Sequence, residues 1–497
     1  MPAWTALGLE GAAALDPHAV AVTDNAGSYS YGELLGRVGF ASGLLASRGV
    51  GANATVLLLA PNRREAVVAY LAALRLGARV VALDRRAGKA DVAHAVELTR
   101  PQLVLADPDL AELVCPPDLP VLGLREAAAG SAELPPAADD RATVILFTSG
   151  TSSTPKAALH TMPSLLAGVR NMAHTLQFSR QDAPFLVSPL ASITGVSQTH
   201  LALECGGSLL LEDAFSRVSS LRRLADLGAT VFGGAPFVLE ELLAAAIEER
   251  CSALPLRAVA VGGSAIPRPL LEDAYARFGI VPSRVYGSSE CPIAFASAPA
   301  DDLEARMRDE GIAMPGTQGR IDPANGELHV RGENLFGGYL DPEHNRDAFT
   351  ADAWFRTGDQ ATLTGGRLRI TGRLKEVVAR KGLKISLAEV DEAMNGMPGV
   401  AAAAAYALPD EHTGERLVLA IHVDPTAAVG LRDVTRWLAG RGLATWKLPE
   451  QIVVWDEPFP HTASGKVLRR ALDEGGAGRP AHYGARLSER QVGRDND

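Results

Sequence analysis

Short apolar runs alternate with amphipathic stretches along most of the chain. Thr55-Val-Leu-Leu-Leu59 reads as a strand, Arg63 to Leu76 as a helix, and Val80-Val-Ala-Leu83 as the next strand. The alternation returns at Ser208-Leu-Leu-Leu211, helical Ser216 to Leu227, Ala229-Thr-Val-Phe232 and helical Pro236 to Glu249. Strands separated by helices predict α/β layers with partly parallel sheets. Gly77, Gly228 and Gly279 fall where these helices would end, a place that suits the left-handed conformation glycine adopts freely. Beyond Arg367-Leu-Arg-Ile-Thr-Gly-Arg-Leu-Lys375 a second pattern starts. It holds helix-like Leu387 to Asn395, strand-like Leu417 to Val423, helix-like Leu431 to Gly440 and strand-like Ile452 to Trp455. About a hundred residues suffice for a small α+β domain. Residues 474–497 are Gly-rich and charged and read as a mobile tail.

Bulk properties narrow the class. A chain of 497 residues is too long for one core, so two or more domains are expected. Apolar content of 47% and mean hydropathy of +0.07 fit a globular protein. No run of about 18 apolar residues occurs, so no membrane span is predicted, and Met1-Pro-Ala-Trp lacks the pattern of a secretory leader. The Ala401 to Ala405 run is short and reads as core. A net charge of −10 argues against nucleic-acid binding. Cys115, Cys205, Cys251 and Cys291 are far apart, as in a reduced cytoplasmic protein, and the histidines form no HxxxH or HExxH pattern.

Candidate chemistry begins at Thr148-Ser-Gly-Thr-Ser-Ser-Thr-Pro-Lys156, which follows the strand-like Thr143-Val-Ile-Leu-Phe147. Glycine admits an anion close to the backbone, hydroxyl and amide groups donate to oxygen, and lysine adds charge. Alone this is a weak signal, since it lacks the GxxxxGK[ST] spacing. It is followed in order by Gly262-Gly-Ser-Ala-Ile-Pro267, Tyr286-Gly-Ser-Ser-Glu290, Gly326-Glu-Leu-His-Val-Arg-Gly332 with Gly337-Gly-Tyr339, Trp354-Phe-Arg-Thr-Gly-Asp359, Gly372-Arg-Leu-Lys375 before Gly382, and Ser464-Gly-Lys-Val-Leu-Arg469.

This series resembles the adenylate-forming superfamily, in its acyl-CoA synthetase (acid–CoA ligase) branch, over nearly the whole chain from Tyr31 to Lys466. The resemblance implies a large multi-sheet domain over 1–374, a small mobile α+β domain over 375–480 with its hinge at Lys375, and a flexible tail at 481–497. It implies that Thr148, Ser149, Gly150, Thr151, Ser152, Ser153 and Lys156 grip ATP phosphates. Gly263, Ser264, Ala265, Tyr286, Gly287 and Ser288 would hold the AMP moiety, with Tyr286 stacked on adenine. Ser289 would bond the α-phosphate or acyl carboxylate, and Glu290 would hold Mg²⁺. Asp359 would take the ribose hydroxyls, with Arg373 nearby. Lys466 would bridge the attacking carboxylate and the α-phosphate, two anions that a cation must reconcile. The implied reaction makes an acyl-adenylate from a carboxylic acid and ATP. The small domain then turns about Lys375, and CoA attacks through a tunnel lined by the Gly382 loop. Arg380, Lys381 and Lys384 are candidates for CoA phosphates, or simply an exposed basic turn.

Three departures stand out. Ser153 replaces a glycine of the phosphate loop. If the position needs positive φ, the penalty is roughly 1–2 kcal/mol. If the side chain fills space needed by the β- and γ-phosphates, ATP suffers more than an acyl-adenylate does. Ser192, within Pro189-Leu-Ala-Ser-Ile-Thr-Gly195, replaces a histidine or aromatic gate, and Ser289 replaces threonine. An alternative reading therefore stands: chiefly the thioester-forming half-reaction, from an adenylate made by a partner enzyme. Further alternatives are a separate carrier protein as acceptor and a catalytically silent acyl-AMP-binding protein. No Asp occurs between Phe185 and Leu201, which argues against an α-amino acid. Ser192, Phe232, Gly234 and Ile293 are the expected acyl-pocket residues, and the small residues around them favour a bulky apolar acid. The chain runs only 31 residues past Lys466, so no fused carrier domain is expected. A homodimer is compatible with the sequence, and nothing in it demands one.

Overall fold

The computed structural model describes residues 8–138, 142–148, 155–264, 266–374, 376–380, 383–410, 413–424, 427–461 and 467–484. It is the mixed α/β architecture expected from the alternation, with several sheets. The chain divides into two compact units. The larger takes residues through Arg320, His329–Arg356 and Thr364–Leu368; the smaller takes Ile321–Leu328, Thr357–Leu363 and Arg369 onward.

In the large unit a six-stranded sheet runs in the order Val121–Gly123, Leu103–Ala106, Thr55–Ala60, Arg79–Asp84, Thr143–Thr148, Lys156–Thr161. All neighbours are parallel except the last pair, which forms an antiparallel hairpin. Thr55–Ala60 is buried at every position. Alternate residues explain this, because successive side chains leave opposite faces of a strand. Val56, Leu58 and Ala60 join a core with residues of helices Tyr31–Ser47 and Arg64–Arg75. Leu57 and Leu59 join another with Val92 and Ala95 of helix Lys89–Thr99. A second sheet starts with three parallel strands, Val231–Gly234, Ala258–Gly262 and Val281–Tyr286, followed by the antiparallel Phe295–Ala296 and Ile312–Ala313. A third, of four strands, pairs Val20–Asp24 with Leu209–Leu211. Gly77, Gly228 and Gly279 all take positive φ at helix ends, as the sequence pattern predicts.

The small unit is built on Gly414–Val423, antiparallel to Val400–Asp410 and parallel to Gln451–Trp455. Leu417, Leu419 and Ile421 pack with Val390, Met394, Val434 and Leu438 of helices Leu387–Met394 and Leu431–Gly440. Val418 and Ala420 pack on the other face with Trp455, Phe459 and Leu472. The alanine run Ala401 to Ala405 is part of a strand whose first residues are exposed, so only its end is core.

Part of the stretch expected to be a tail is folded. Residues 469–476 form a helix and Ala481–Tyr483 a strand antiparallel to Gln451–Trp455, with Ala481 opposite Val453 and Tyr483 opposite Gln451. Leu472 is fully buried and anchors the helix, and the backbone of 481–483 finds partners on an open sheet edge. The four cysteines are free thiols, with Cys205 and Cys291 buried. Among the described residues no helix is long and apolar enough to cross a membrane.

Candidate active site

The hairpin Thr143–Thr148/Lys156–Thr161 brings Thr148 opposite Lys156, so the ends of the hydroxyl-rich loop are pinned as a pair. Ser149, Gly150, Thr151, Ser152 and Ser153 lie outside the described residues. The strand Lys156–Thr161 is fastened on its other side as well. Gly337 donates to Leu159 O (2.8 Å), Leu159 to Gly338 O (3.0 Å) and Leu340 to Ala157 O (2.9 Å). The segment 337–340 thus runs along the strand that leaves the loop.

Gly262 and Tyr286 end neighbouring parallel strands, with Gly262 opposite Val285. Crevices at the carboxyl ends of parallel strands are where such sheets bind ligands. A side chain at Gly262 would meet Val285 O at 2.5 Å, so only glycine fits there. Gly263 takes φ +88. After Tyr286 the chain folds back on itself. Ala294 donates to Tyr286 O (2.8 Å), and a Cβ on Gly287 would lie 2.5 Å from Ile293 N. Ser288 Oγ accepts from the backbone N–H of Glu290 (3.2 Å) and of Cys291 (3.3 Å). Asn171 and Asn334 hold the turn from outside through Ile293 O (3.1 Å) and Pro292 O (2.8 Å).

Two side chains then fix Ser289 and Glu290. His160, fully buried, donates from Nε2 to Ser289 O (2.6 Å), and its Nδ1 lies 3.2 Å from Ser164 Oγ. Burial lowers the imidazole pKa below its usual 6.5, against smaller raising effects of the Ser289 hydrogen bond and the Glu290 charge. It is therefore neutral at pH 7, with its proton on Nε2. Tyr339 OH donates to Glu290 Oε1 (2.7 Å), and Lys156 Nζ stands 4.8 Å from the centre of the Tyr339 ring. Burial, then the neighbouring Glu290, raise the phenol pKa far enough that Tyr339 stays a neutral donor. Phe336 donates from its backbone to Glu290 O (2.8 Å), so segment 336–340 ties Glu290 to the strand that starts at Lys156.

In the small unit Arg373 Nε donates to Asp359 Oδ1 (2.6 Å), and Asp359 is buried. Asp359 N–H donates to Thr357 Oγ1 (3.1 Å), which donates to Leu328 O (2.7 Å). Gly358, at φ +74, donates to Glu327 Oε1 (3.0 Å). These contacts form a rigid cradle for one carboxylate, suited to accepting two hydroxyl donors. A cavity of about 920 Å³ in this unit is lined by Gln360, Arg369, Ser386 and Glu389 among others, and neither Asp359 nor Arg373 lines it.

The pattern of the AMP-binding enzyme family matches residues 9–340, and that of the AMP-binding enzyme C-terminal domain matches 389–466. The chain belongs to the AMP-binding enzyme family. Among its relatives are an indoleacetate–CoA ligase of Aromatoleum aromaticum, 29% identical over 92% of this chain and 95% of that one, and a medium-chain fatty-acid–CoA ligase of Escherichia coli, 29% identical over 92% and 87%. The crystal structure of ATP-bound MatB from Rhodopseudomonas palustris superimposes with a TM-score of 0.84 at 26% identity, covering 94% of this chain and 99% of that one. The protein is thus an adenylate-forming enzyme of the acid–CoA ligase branch, using ATP, CoA and a small-molecule acid.

The remaining expected residues of this AMP-binding enzyme are placed unevenly. Ala265, Lys375, Lys381, Gly382 and Lys466 lie outside the described residues. On either side of the stretch with Lys466, His461 and Val467 form a bridge, and Leu468 N–H donates to Pro460 O (2.8 Å). Arg380 turns inward. It donates to Trp446 O (3.1 Å) and Leu448 O (2.9 Å) and pairs with Glu450 (3.2 Å), so it is committed to the small unit's own structure. Ser192 is the N-cap of helix Ile193–Cys205, accepting from Gly195 N–H (3.0 Å) and donating to Pro189 O (2.7 Å). Phe232 is buried with Leu239, Leu242 and Val261, whereas Ile293 belongs to a different cluster with Val231 and Ala260. A Cβ on Gly234 would lie 2.7 Å from the Phe232 ring.

Sequence reasoning missed His160 and the side-chain role of Tyr339. His160 had a signal: it occupies the buried phase of a strand, with Ala158, where a polar side chain needs a partner. Tyr339 had none, because its partner Glu290 is 49 residues away.

Proposed function

We propose that this enzyme activates a bulky, apolar carboxylic acid that is not an α-amino acid, first as acyl-AMP and then as the CoA thioester. The observation that carries the reading is the junction of Lys156, Tyr339, Glu290 and His160. It ties the exit of the phosphate loop to the turn Tyr286–Glu290, as a site for a triphosphate and its counter-ion requires. Tyr286 would stack on adenine, with Gly263, Ser264, Ala265, Gly287 and Ser288 around the nucleotide. Ser289 would bond the α-phosphate, and Asp359 with Arg373 the ribose. Lys466 would draw the acid carboxylate toward the α-phosphate during adenylation. Turning about Lys375, between domains 1–374 and 375–480, would then exchange Lys466 for the Gly382 loop.

Glu290 fits Mg²⁺: it is a partly exposed carboxylate held on one oxygen by a neutral phenol, leaving the other for a hard cation. A cation there would offset phosphate charge. The named acids of two relatives, indoleacetate and a medium-chain fatty acid, support a bulky apolar substrate. The test is acid-dependent ATP–pyrophosphate exchange and CoA-thioester formation over a panel running from acetate and malonate to aryl and medium-chain acids. Turnover confined to small charged acids would overturn the substrate class.

Ser153 favours a second reading, in which the thioester-forming step from a supplied acyl-adenylate dominates. Under it, wild type shows weak exchange but fast thioester formation from synthetic acyl-adenylate, and Ser153→Gly raises exchange. Robust exchange by wild type removes this reading. Transfer to a pantetheinylated protein rather than to free CoA would identify a carrier protein as acceptor.

A further inference from the structure

Helix Ile193–Cys205 buries a primary amide that is only half satisfied. Gln198 is 1% exposed. Its Nε2 donates to Gly233 O at 2.8 Å, while its Oε1 is buried without a hydrogen-bond partner. The amide orientation is fixed chemically, since Gly233 O can only accept and so must face the NH₂ end. Reversal would set oxygen against oxygen. The unpaired atom is therefore an acceptor. Ser197 Oγ is also unpaired, but a helical serine hydroxyl can rotate onto the carbonyl one turn back, and a glutamine carbonyl oxygen has no donor to reach in a continuous helix.

The surroundings are bare of side chains on the facing strand. Gly233 and Gly234 follow Phe232, and a Cβ on Gly233 would stand 3.4 Å from the Gln198 amide carbon. Buried polar atoms are almost always satisfied, so a lone acceptor beside two consecutive glycines calls for a donor from elsewhere. We infer that Gln198 is a specificity-determining residue whose Oε1 accepts a hydrogen bond from an O–H or N–H on the distal part of the acid. The inference rests on the reading that Phe232 and Gly234 line the acyl pocket. It refines that reading to an acid whose body is largely apolar and carries one donor.

The test uses acid pairs matched in shape and differing in the donor: indoleacetate against benzothiopheneacetate, and ω-hydroxyoctanoate against nonanoate. Acid-dependent thioester formation with ATP and CoA is measured for wild type, Gln198→Met and Gln198→Glu. Wild type should favour the donor-bearing member of at least one pair by about tenfold or more in kcat/KM. Gln198→Met should lose that preference while using the donor-free acid within about twofold of wild type, which also shows that it folds. At mildly acidic pH the protonated carboxyl introduced by Gln198→Glu can donate to Gly233 O and still present a carbonyl, so that variant should keep the preference. A wild type without preference in either pair, or Gln198→Met retaining it, overturns this role and leaves the ligase reading intact. A wild type that activates no acid of the panel, with AMP still bound, overturns the proposed substrate class and this inference with it.

Discussion

Removing one oxygen atom, in Tyr339→Phe, isolates the contact that joins the hairpin Thr143–Thr148/Lys156–Thr161 to Glu290. The phenol donates to Glu290 Oε1 at 2.7 Å. The ring itself is held by an edge contact with Phe336 at 4.9 Å and by the Lys156 ammonium at 4.8 Å, and phenylalanine keeps both. A hydrogen bond to a charged group contributes about 1.5–3 kcal/mol, and partial exposure of Glu290 lets water recover part of it. A loss of about 1–2 kcal/mol in holding Glu290 remains, which is about 5- to 30-fold in rate. The loss should appear in kcat/KM for MgATP during exchange and in the affinity for MgATP measured by calorimetry. AMP without magnesium should bind nearly as before. Global stability should fall by no more than about 1 kcal/mol, since the freed carboxylate can take water. If MgATP kinetics and affinity stay within about twofold of wild type while stability drops, Tyr339 only packs, and the coupling of hairpin to carboxylate is refuted.

Further outcomes follow from other contacts. His160 has its pKa lowered in the folded state, so the unfolded chain binds a proton that the folded one refuses as pH falls through 6.5. That stabilisation is present above 6.5 and lost below it, by up to about 1.4 kcal/mol per pH unit. Urea unfolding of His160→Gln should lack this share of the acid slope, and an unchanged slope would put the titration elsewhere. Asp359→Ala removes the acceptor held by Arg373 and, under the proposed ribose role, should weaken AMP binding by about tenfold or more. Equal affinity in a calorimeter would exclude a ribose role. Leu419→Ala opens the core of the small unit, where Leu419 is fully buried, and should destabilise that unit by about 2–5 kcal/mol in chemical denaturation. AMP binding, which the proposed function places largely in the large unit, should persist, and its loss would show that the units do not fold separately.

Much of the fold was legible because the apolar runs are long and their periods unambiguous. Thr55–Ala60 and Arg64–Arg75 appear within a residue of their expected limits. The strand Val400–Asp410 was not legible as such. Alanine has little strand preference, and the start of the run is exposed at Ala401 and Ala402; pairing with Gly414–Val423 decides it. The strand Ala481–Tyr483 escaped for a related reason. Three residues carry no period, and only an available sheet edge makes them a strand. At the site, the glycines of Gly262 and Gly287 announce themselves because close backbone approach leaves no room for a Cβ. His160, Tyr339 and Gln198 act through partners distant in sequence, and no local pattern encodes such partners. Ser192 shows the reverse limit. It reads as a pocket residue by its place in a motif, yet its hydroxyl is already used at both ends of a helix cap.

The way the hairpin is fastened bears on Ser153. Strand Lys156–Thr161 is paired on one edge with Thr143–Thr148 and on the other with segment 337–340, so the backbone entering and leaving the loop is held from two sides. Shifting either strand would break several hydrogen bonds at once. The turn from Tyr286 to Ile293 is braced by His160 at Ser289, Asn334 at Pro292 and Asn171 at Ile293. A change at Ser153 is therefore not expected to move that turn, which the proposed function assigns to adenine and the α-phosphate. Under the proposed function, Ser153→Gly should alter the affinity for ATP and pyrophosphate while leaving that for AMP or an acyl-adenylate within about twofold, because distant sites without shared partners act nearly independently. Titration of each ligand in both proteins measures the two effects separately. Parallel shifts for AMP and ATP would mean that the loop and the turn move as one.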